Sequence, residues 1–204
     1  MKLYGDLISP FVRMSMITAI ECGLGDRVQL VHTNAKPQVP NETLQKLSPL
    51  GKIPVLETDH GHPLHDSRVI MEYFCHVAGN KVLLPDEGVK RFRLLTLLAL
   101  GQGLGDAAVG LRYEQSARPS ELQWPELIER LRLRITSCLD ELEGTWCDTL
   151  QDVTLGSIAV AAVLSYVDYR HENLNWRQNR TELSNFHSVF NKQKSMIDTS
   201  LPIA

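Results

Sequence analysis

The chain has 204 residues, 43% apolar and 22% charged, with a formal net charge of −3. That is length for one large or two small domains, in a composition that excludes a disordered chain. The small negative charge gives no electrostatic reason to expect nucleic acid or an anionic membrane as partner. No apolar run approaches the ~20 residues of a transmembrane helix. Lys2 leads into a strand-like segment containing Asp6, not a signal-peptide core. Cys22, Cys75, Cys138 and Cys147 are scattered, without a C-x-x-C pair; free thiols in a reducing cytoplasm are the expectation.

In chain order, Lys2 to Gly5 reads as a short strand and Asp6 to Ile8 as a loop. Ser9-Pro10 starts a helix, because serine is a good N-cap and proline suits the first helical position. Phe11, Met14, Ile17 and Ile20 follow at helical spacing, and Cys22-Gly23 closes the segment. Val28 to His32 is a second strand, Asn34 to Asn41 a proline-containing loop, and Glu42 to Leu47 a short helix. Ile53 to Glu57 is a third strand. Thr58-Asp59-His60-Gly61 makes a hairpin turn, and Pro63 to His65 returns as an edge strand. Ser67 is expected to cap a helix through Ile70, Tyr73, Phe74 and Val77, stopped by Gly79-Asn80. Strand, helix, strand, helix, strand, strand, helix fits a mixed sheet with helices packed on it.

Leu83 to Gly88 reads as a linker, and the rest as helix. One long pattern runs from Val89 to about Arg118, and a second from Trp124-Pro125 to Gly144. A third, Leu155 to Tyr169, is apolar nearly all round and so belongs in a core. A fourth runs from Thr181 to Lys194, before a tail at 201–204. Thr154-Leu155-Gly156-Ser157 is spaced as an N-capping box, with a folding role.

The stretch Ser48-Pro49-Leu50-Gly51-Lys52-Ile53-Pro54-Val55-Leu56 carries the chemistry. A cis bond before Pro54 would turn the backbone groups of Ile53 away from the sheet and leave them for an extended peptide. Asp66-Ser67, at a helix start, offers a site for a carboxylate. Together they suggest a small acidic peptide held extended. The stretch also resembles the N-P-x-G-K-V/I-P-x-L signature of the glutathione transferase superfamily, with Ser48 where Asn is commonest, followed by that family's D/E-S pair at Asp66-Ser67. Ser9-Pro10-Phe11 resembles the C-P-F/Y motif of omega-type members, with serine in place of cysteine.

The resemblance covers the whole chain. It implies a thioredoxin-like α/β domain over 1–79, a linker over 80–88 and an all-helical domain over 89–204, in a bacterial-type, cytoplasmic homodimer. It implies glutathione as co-substrate, with the cysteinyl backbone at Ile53 and the γ-glutamyl end at Asp66 and Ser67. The cofactor-binding set it implies is Phe11, Lys52, Ile53, Pro54, Asp66 and Ser67. Ser9 is then the catalytic candidate, donating a hydrogen bond to the glutathione thiolate at the positive end of a helix; on local sequence alone it is a plain N-cap. Tyr4 is the rival, disfavoured by its place inside a strand. Serine cannot form a mixed disulfide with glutathione, which favours conjugation to an electrophile or peroxide reduction over disulfide reduction. The reading from another class is a non-catalytic adaptor of the same fold, similar to the stringent starvation proteins that bind RNA polymerase.

Other residues have weaker assignments. Lys52, Lys36 and Gln38 are candidates for the glycyl carboxylate. Arg13 is expected to pair with a carboxylate away from the thiol. His60, His62 and His65 cluster by sequence, but a turn does not fix converging ligands, so no metal is expected. Gly101-Gln102-Gly103-Leu104-Gly105 lacks a preceding strand and is read as small residues letting two helices approach, across a dimer interface in one version. Arg130, Arg132 and Arg134 spread over more than one helix face and do not make a nucleic-acid stripe. The wall for a second substrate is expected from Ile8, Phe11, Asp106, Val109, Gly110, Arg112 and Tyr113.

Overall fold

The computed structural model describes residues 1–202. Strands β1 (Lys2–Gly5), β2 (Gln29–His32), β3 (Val55–Glu57) and β4 (Pro63–His65) form one mixed sheet in the order β2-β1-β3-β4. The β1–β2 pair is parallel, with Leu3 opposite Leu30; β1–β3 and β3–β4 are antiparallel, with Leu56 opposite both Leu3 and Leu64. Helices α1 (Pro10–Glu21) and α3 (Ser67–Ala78) pack on this sheet, and α2 (Glu42–Leu47) lies in the connection between β2 and β3. The small core they share holds Leu3, Leu56, Val12, Ala19, Ile70 and Phe74. Gly5 lets α1 come close to the end of β1, since a Cβ there would lie 2.4 Å from Val12 Cγ2.

The hairpin turn at 58–61 is as expected: Thr58 N–H donates to His62 O and Gly61 N–H to Thr58 O, at 3.2 and 2.9 Å. The cap of α3 is not. Asp66 is the N-cap, accepting from Arg68 N–H at 2.9 Å, and Ser67 is the first helical residue. A carboxylate so placed answers an orphan helix amide, and Asp66 takes a left-handed φ of 67° to do it.

The remainder is helical: α4 (Gly88–Ser116), α5 (Pro125–Thr145), α6 (Cys147–Leu150), α7 (Leu155–Arg170), α8 (Thr181–Phe190) and α9 (Lys194–Asp198). From Leu155 to Leu164 every residue of α7 is buried. Its capping box is complete: Ser157 N–H donates to Thr154 Oγ1 at 3.2 Å, and Thr154 N–H to Ser157 Oγ at 2.8 Å. Close packing of α4 on α7 needs glycine on both. A Cβ on Gly101 would lie 3.1 Å from Ala159 Cβ, and one on Gly156 would meet three Leu97 atoms at 2.7 to 2.9 Å. The glycines of the 101–105 run thus serve packing within the chain, Gly101 against α7 and Gly105 against Phe11 and Val163. Helix α4 is long and apolar enough to cross a membrane by length and composition, and 56% of its most apolar window is buried inside the molecule.

Two expectations are corrected at the end of the chain. The single helix predicted over 181–194 is two, because Gln193 is extended between α8 and α9. That break brings the turn after α9 to Arg13, which pairs with no carboxylate among the described residues. Arg13 is 3% exposed; its Nε donates to Thr199 O at 2.9 Å and its Nη2 to Met196 O at 3.2 Å. Two carbonyls at the end of a helix give a buried guanidinium partial negative charge without a second desolvated ion. The expected tail at 201–204 lies partly outside the described residues.

Candidate functional site

A cleft of about 1200 Å³ opens where the ends of the sheet face α4 and α7. Ser9, Ile53 and Ser67 all line it, so the three motifs singled out in the sequence meet in space. Ser9 is the N-cap of α1. Its Oγ accepts from Val12 N–H at 3.5 Å, and among the described residues its hydroxyl proton has no acceptor. A half-buried hydroxyl with a free proton at a helix N-terminus is placed to donate to an anion.

The Ile53–Pro54 peptide is cis. Ile53 precedes β3 and stays outside the ladder, whose pairs begin at Val55. Ile53 itself lines the cleft, and its backbone groups have no strand partner, as pairing with an extended peptide would require.

Ser67 is 4% exposed, and its Oγ accepts from Gln102 Nε2 of α4 at 2.8 Å. With one lone pair taken, the Ser67 proton is directed elsewhere, and the first amides of α3 lie beside it. Asp66 is tied to Arg68 by a charge-assisted pair at 2.7 Å, which holds its carboxyl below the usual range. Asp106 of α4 opens to the same end of the cleft. Partial burial raises its carboxyl above the ordinary carboxylate value, with Lys52 and Arg68 opposing the rise. One end of the cleft thus offers a hydroxyl, helix amides and cationic side chains beside a carboxylate, a set suited to a zwitterionic amino-acid head.

Lys36 and Lys52 both line the cleft, whereas Gln38 is committed: its Nε2 donates to Ala117 O at 2.8 Å, tying the 34–41 loop to the end of α4. Phe11 lines the cleft and also packs on Gly105. Tyr4 is not at the site; its hydroxyl donates to Glu57 Oε2 at 2.9 Å across the β1–β3 pair. Burial and that contact push the Tyr4 phenol up and leave it protonated. Ile8, Asp106, Val109, Arg112 and Tyr113 line the cleft as expected. Gly110 instead faces Leu131. Gln102, Arg68, Tyr166 and Arg170 line it too and were not foreseen. His60, His62 and His65 stay exposed, and among the described residues no group of three or more His, Cys, Asp or Glu could hold a metal ion.

A second polar cluster contains the residue types of a hydrolytic triad. Ser165 Oγ lies 3.0 Å from His187 Nε2, and His187 Nδ1 is 3.8 Å from Asp168 Oδ2. The tautomer decides its role. Arg177 Nη2 sits 3.1 Å from His187 Nδ1 and can only donate, so the imidazole proton is on Nε2 and points at Ser165. Ser165 gives its own proton to Ala161 O at 3.0 Å. A ring holding its proton toward the serine cannot accept another from it. Burial pushes His187 down to about 4, so the ring is neutral and its bonds are structural.

Comparison with known proteins identifies the family and the fold. The family model for the glutathione S-transferase N-terminal domain matches residues 8–77. The uncharacterized GST-like protein YibF of Escherichia coli (strain K12) is 31% identical, over all of both chains. A glutathione transferase family member from Pseudomonas fluorescens Pf-5, solved with bound glutathione, is 36% identical, with a TM-score of 0.96 over 99% of each chain. A glutathione S-transferase from Methylobacillus flagellatus KT, solved with glutathione, is 29% identical, with a TM-score of 0.85 over 98% of each.

Proposed function

The chain belongs to the glutathione S-transferase superfamily, and on that footing we propose that it binds glutathione in the cleft and activates its thiol through Ser9. The observation that carries the reading is the free Ser9 hydroxyl proton, at a helix N-terminus that shares a cleft with the unpaired backbone of Ile53. Glutathione in the related Pseudomonas fluorescens and Methylobacillus flagellatus structures supports the ligand.

In this reading the cysteinyl backbone of glutathione pairs with Ile53, and Pro54 holds that peptide turned toward the ligand. The γ-glutamyl carboxylate takes the Ser67 hydroxyl and the α3 amides. Its ammonium group faces Asp66 and Asp106. Lys52 and Lys36 are the cations for the glycyl carboxylate. Phe11 walls the sulfur from the helical layer. Ser9 donates to the sulfur once the thiol proton has left for solvent. A hydrogen bond to a charged acceptor contributes about 1.5–3 kcal/mol, which lowers the thiol pKa by roughly one to two units. The thiolate then attacks an electrophile or a peroxide. The protein so read works as a homodimer in the cytoplasm, with residues 1–79 and 89–204 as its two domains.

The test is the ultraviolet thiolate absorbance of bound glutathione against pH, for wild type and Ser9→Ala. A midpoint well below that of free glutathione, returning toward it in the variant, is expected. A saturable complex with an unshifted midpoint would remove Ser9 from the chemistry. Absence of glutathione binding by calorimetry would move the protein to the adaptor class.

A further inference from the structure

The end of the cleft away from Ser67 is built differently from the rest. Arg112 and Tyr113, near the end of α4, face Tyr166 and Arg170, near the end of α7. The Tyr166 hydroxyl lies within electrostatic range of both guanidinium groups and of Tyr113, and both guanidinium groups also act on the nearby His171. Four polar groups from two helices therefore converge on one space.

Neither arginine is neutralised. Arg112 donates to Ser116 Oγ, and Arg170 stacks 4.4 Å above the Tyr169 ring. Among the described residues neither has a carboxylate within salt-bridge distance. The neighbouring Arg118 is paired with Glu114, and Arg177 with Asp168. Asp106, the acidic side chain that α4 presents to the cleft, belongs to the group with Lys52, Arg68 and Asp66 at the opposite end. Burial raises both phenols, so both stay protonated; the Tyr113 hydroxyl already donates to Ala35 O at 3.5 Å, and among the described residues the Tyr166 proton has no acceptor. Ile8, Phe11 and Val109 line the same cleft and supply apolar surface to it.

We propose that the acceptor substrate is an electrophile carrying a carboxylate, seated with its reactive carbon over Phe11 and its carboxylate between Arg112 and Arg170. This rests on the glutathione-activating reading and names the second substrate's class. Guanidinium groups bind carboxylates through paired donors, and the Tyr166 hydroxyl adds one more. With a benzylic halide the step balances simply. The glutathione sulfur forms the C–S bond, the C–Cl bond breaks with its electron pair leaving on chloride, and the thiol proton has already passed to solvent.

The experiment uses 4-(chloromethyl)benzoate and its methyl ester, which present a charged and an uncharged group at the far end of the ring; the spontaneous rates report their difference in intrinsic reactivity. Turnover with glutathione, corrected for the spontaneous rate, is expected to favour the benzoate at least tenfold in kcat/KM. In Arg112→Gln and in Arg170→Gln that ratio is expected to fall toward one. Equal turnover of the two by the wild type overturns the inference and leaves thiol activation standing. A second arm is independent of catalysis: calorimetric binding of S-(4-carboxybenzyl)glutathione against the corresponding methyl ester. At least tenfold tighter binding of the acid, lost in either variant, supports the inference even if turnover fails and the transferase reading falls with it. Equal binding overturns it whatever the turnover shows.

Discussion

The two walls of the cleft are made of different material. The sheet wall presents backbone and short side chains to the cleft: the unpaired peptide of Ile53, the amides at the start of α3, and the hydroxyls of Ser9 and Ser67. The helical wall presents long side chains, Gln102, Asp106, Arg112, Tyr166 and Arg170, set on two helices whose own contact is made close by glycines. Backbone groups are fixed when the strand and turn are fixed, so the first wall can serve one ligand with little adjustment. Side chains on packed helices can be exchanged without disturbing the fold beneath them, provided the packing residues stay. The difference assigns a constant task to one wall and a variable one to the other.

Substitutions can break that division. The largest effect is expected where the helical wall is held together. Gly156→Ala drives a methyl into Leu97 and should cost about 3 kcal/mol of stability, seen as a lowered urea midpoint. Thiol activation in the surviving folded fraction should persist, because the sheet wall is untouched. A comparable effect, up to about 3 kcal/mol, should follow from acid. His187 is neutral in the fold with its pKa pushed to about 4, against the ordinary 6.5, so the unfolded chain takes up the proton first. Stability is therefore full above about 6.5 and is lost as pH falls toward 4, with His171, also lowered by burial, adding in the same direction. Lowered carboxylates such as Asp66 extend the loss below about 4. Denaturant midpoints across that range, flattened in His187→Gln, would check it.

Smaller effects should fall on the sheet wall. Ser67→Ala should weaken glutathione roughly tenfold, about 1.4 kcal/mol, by calorimetry, with little change in melting temperature. If instead stability falls and binding holds, Ser67 is a partner for Gln102 and nothing more. Thr154→Ala should cost about 1 kcal/mol of stability and leave the cleft's chemistry alone, since its bonds are made wholly within the capping box.

What could be read from the sequence follows the same division. Ser9-Pro10, Ile53-Pro54 and Asp66-Ser67 are neighbours in the chain as well as in space, and each has a local physical reason to be where it is. Only the exchange of cap between Ser67 and Asp66 was missed, because either side chain can answer a helix amide. Gln102 lay inside a glycine-rich run whose packing role is correct for Gly101 and Gly105, and that role hid the one long side chain reaching across to Ser67. Tyr166 and Arg170 sit at the end of a helix whose composition announces core, and nothing in their own segment says that its last turn emerges beside α4. Arg13 reads in the sequence as a helix-surface cation for some carboxylate, and its burial is not legible there. Its real acceptors are carbonyls on a helix that the sequence pattern had merged with its neighbour.

That arginine has a consequence in the order of synthesis. Its acceptors follow it by 183 and 186 residues. At about 5–20 residues per second, a ribosome takes roughly ten to forty seconds to supply them. For that interval the first helix emerges with a guanidinium built for a dry place and no carbonyls to meet it. The nascent thioredoxin-like layer must therefore keep one flank wet, and the seal on the helix that carries Ser9 closes only after α9 has left the ribosome.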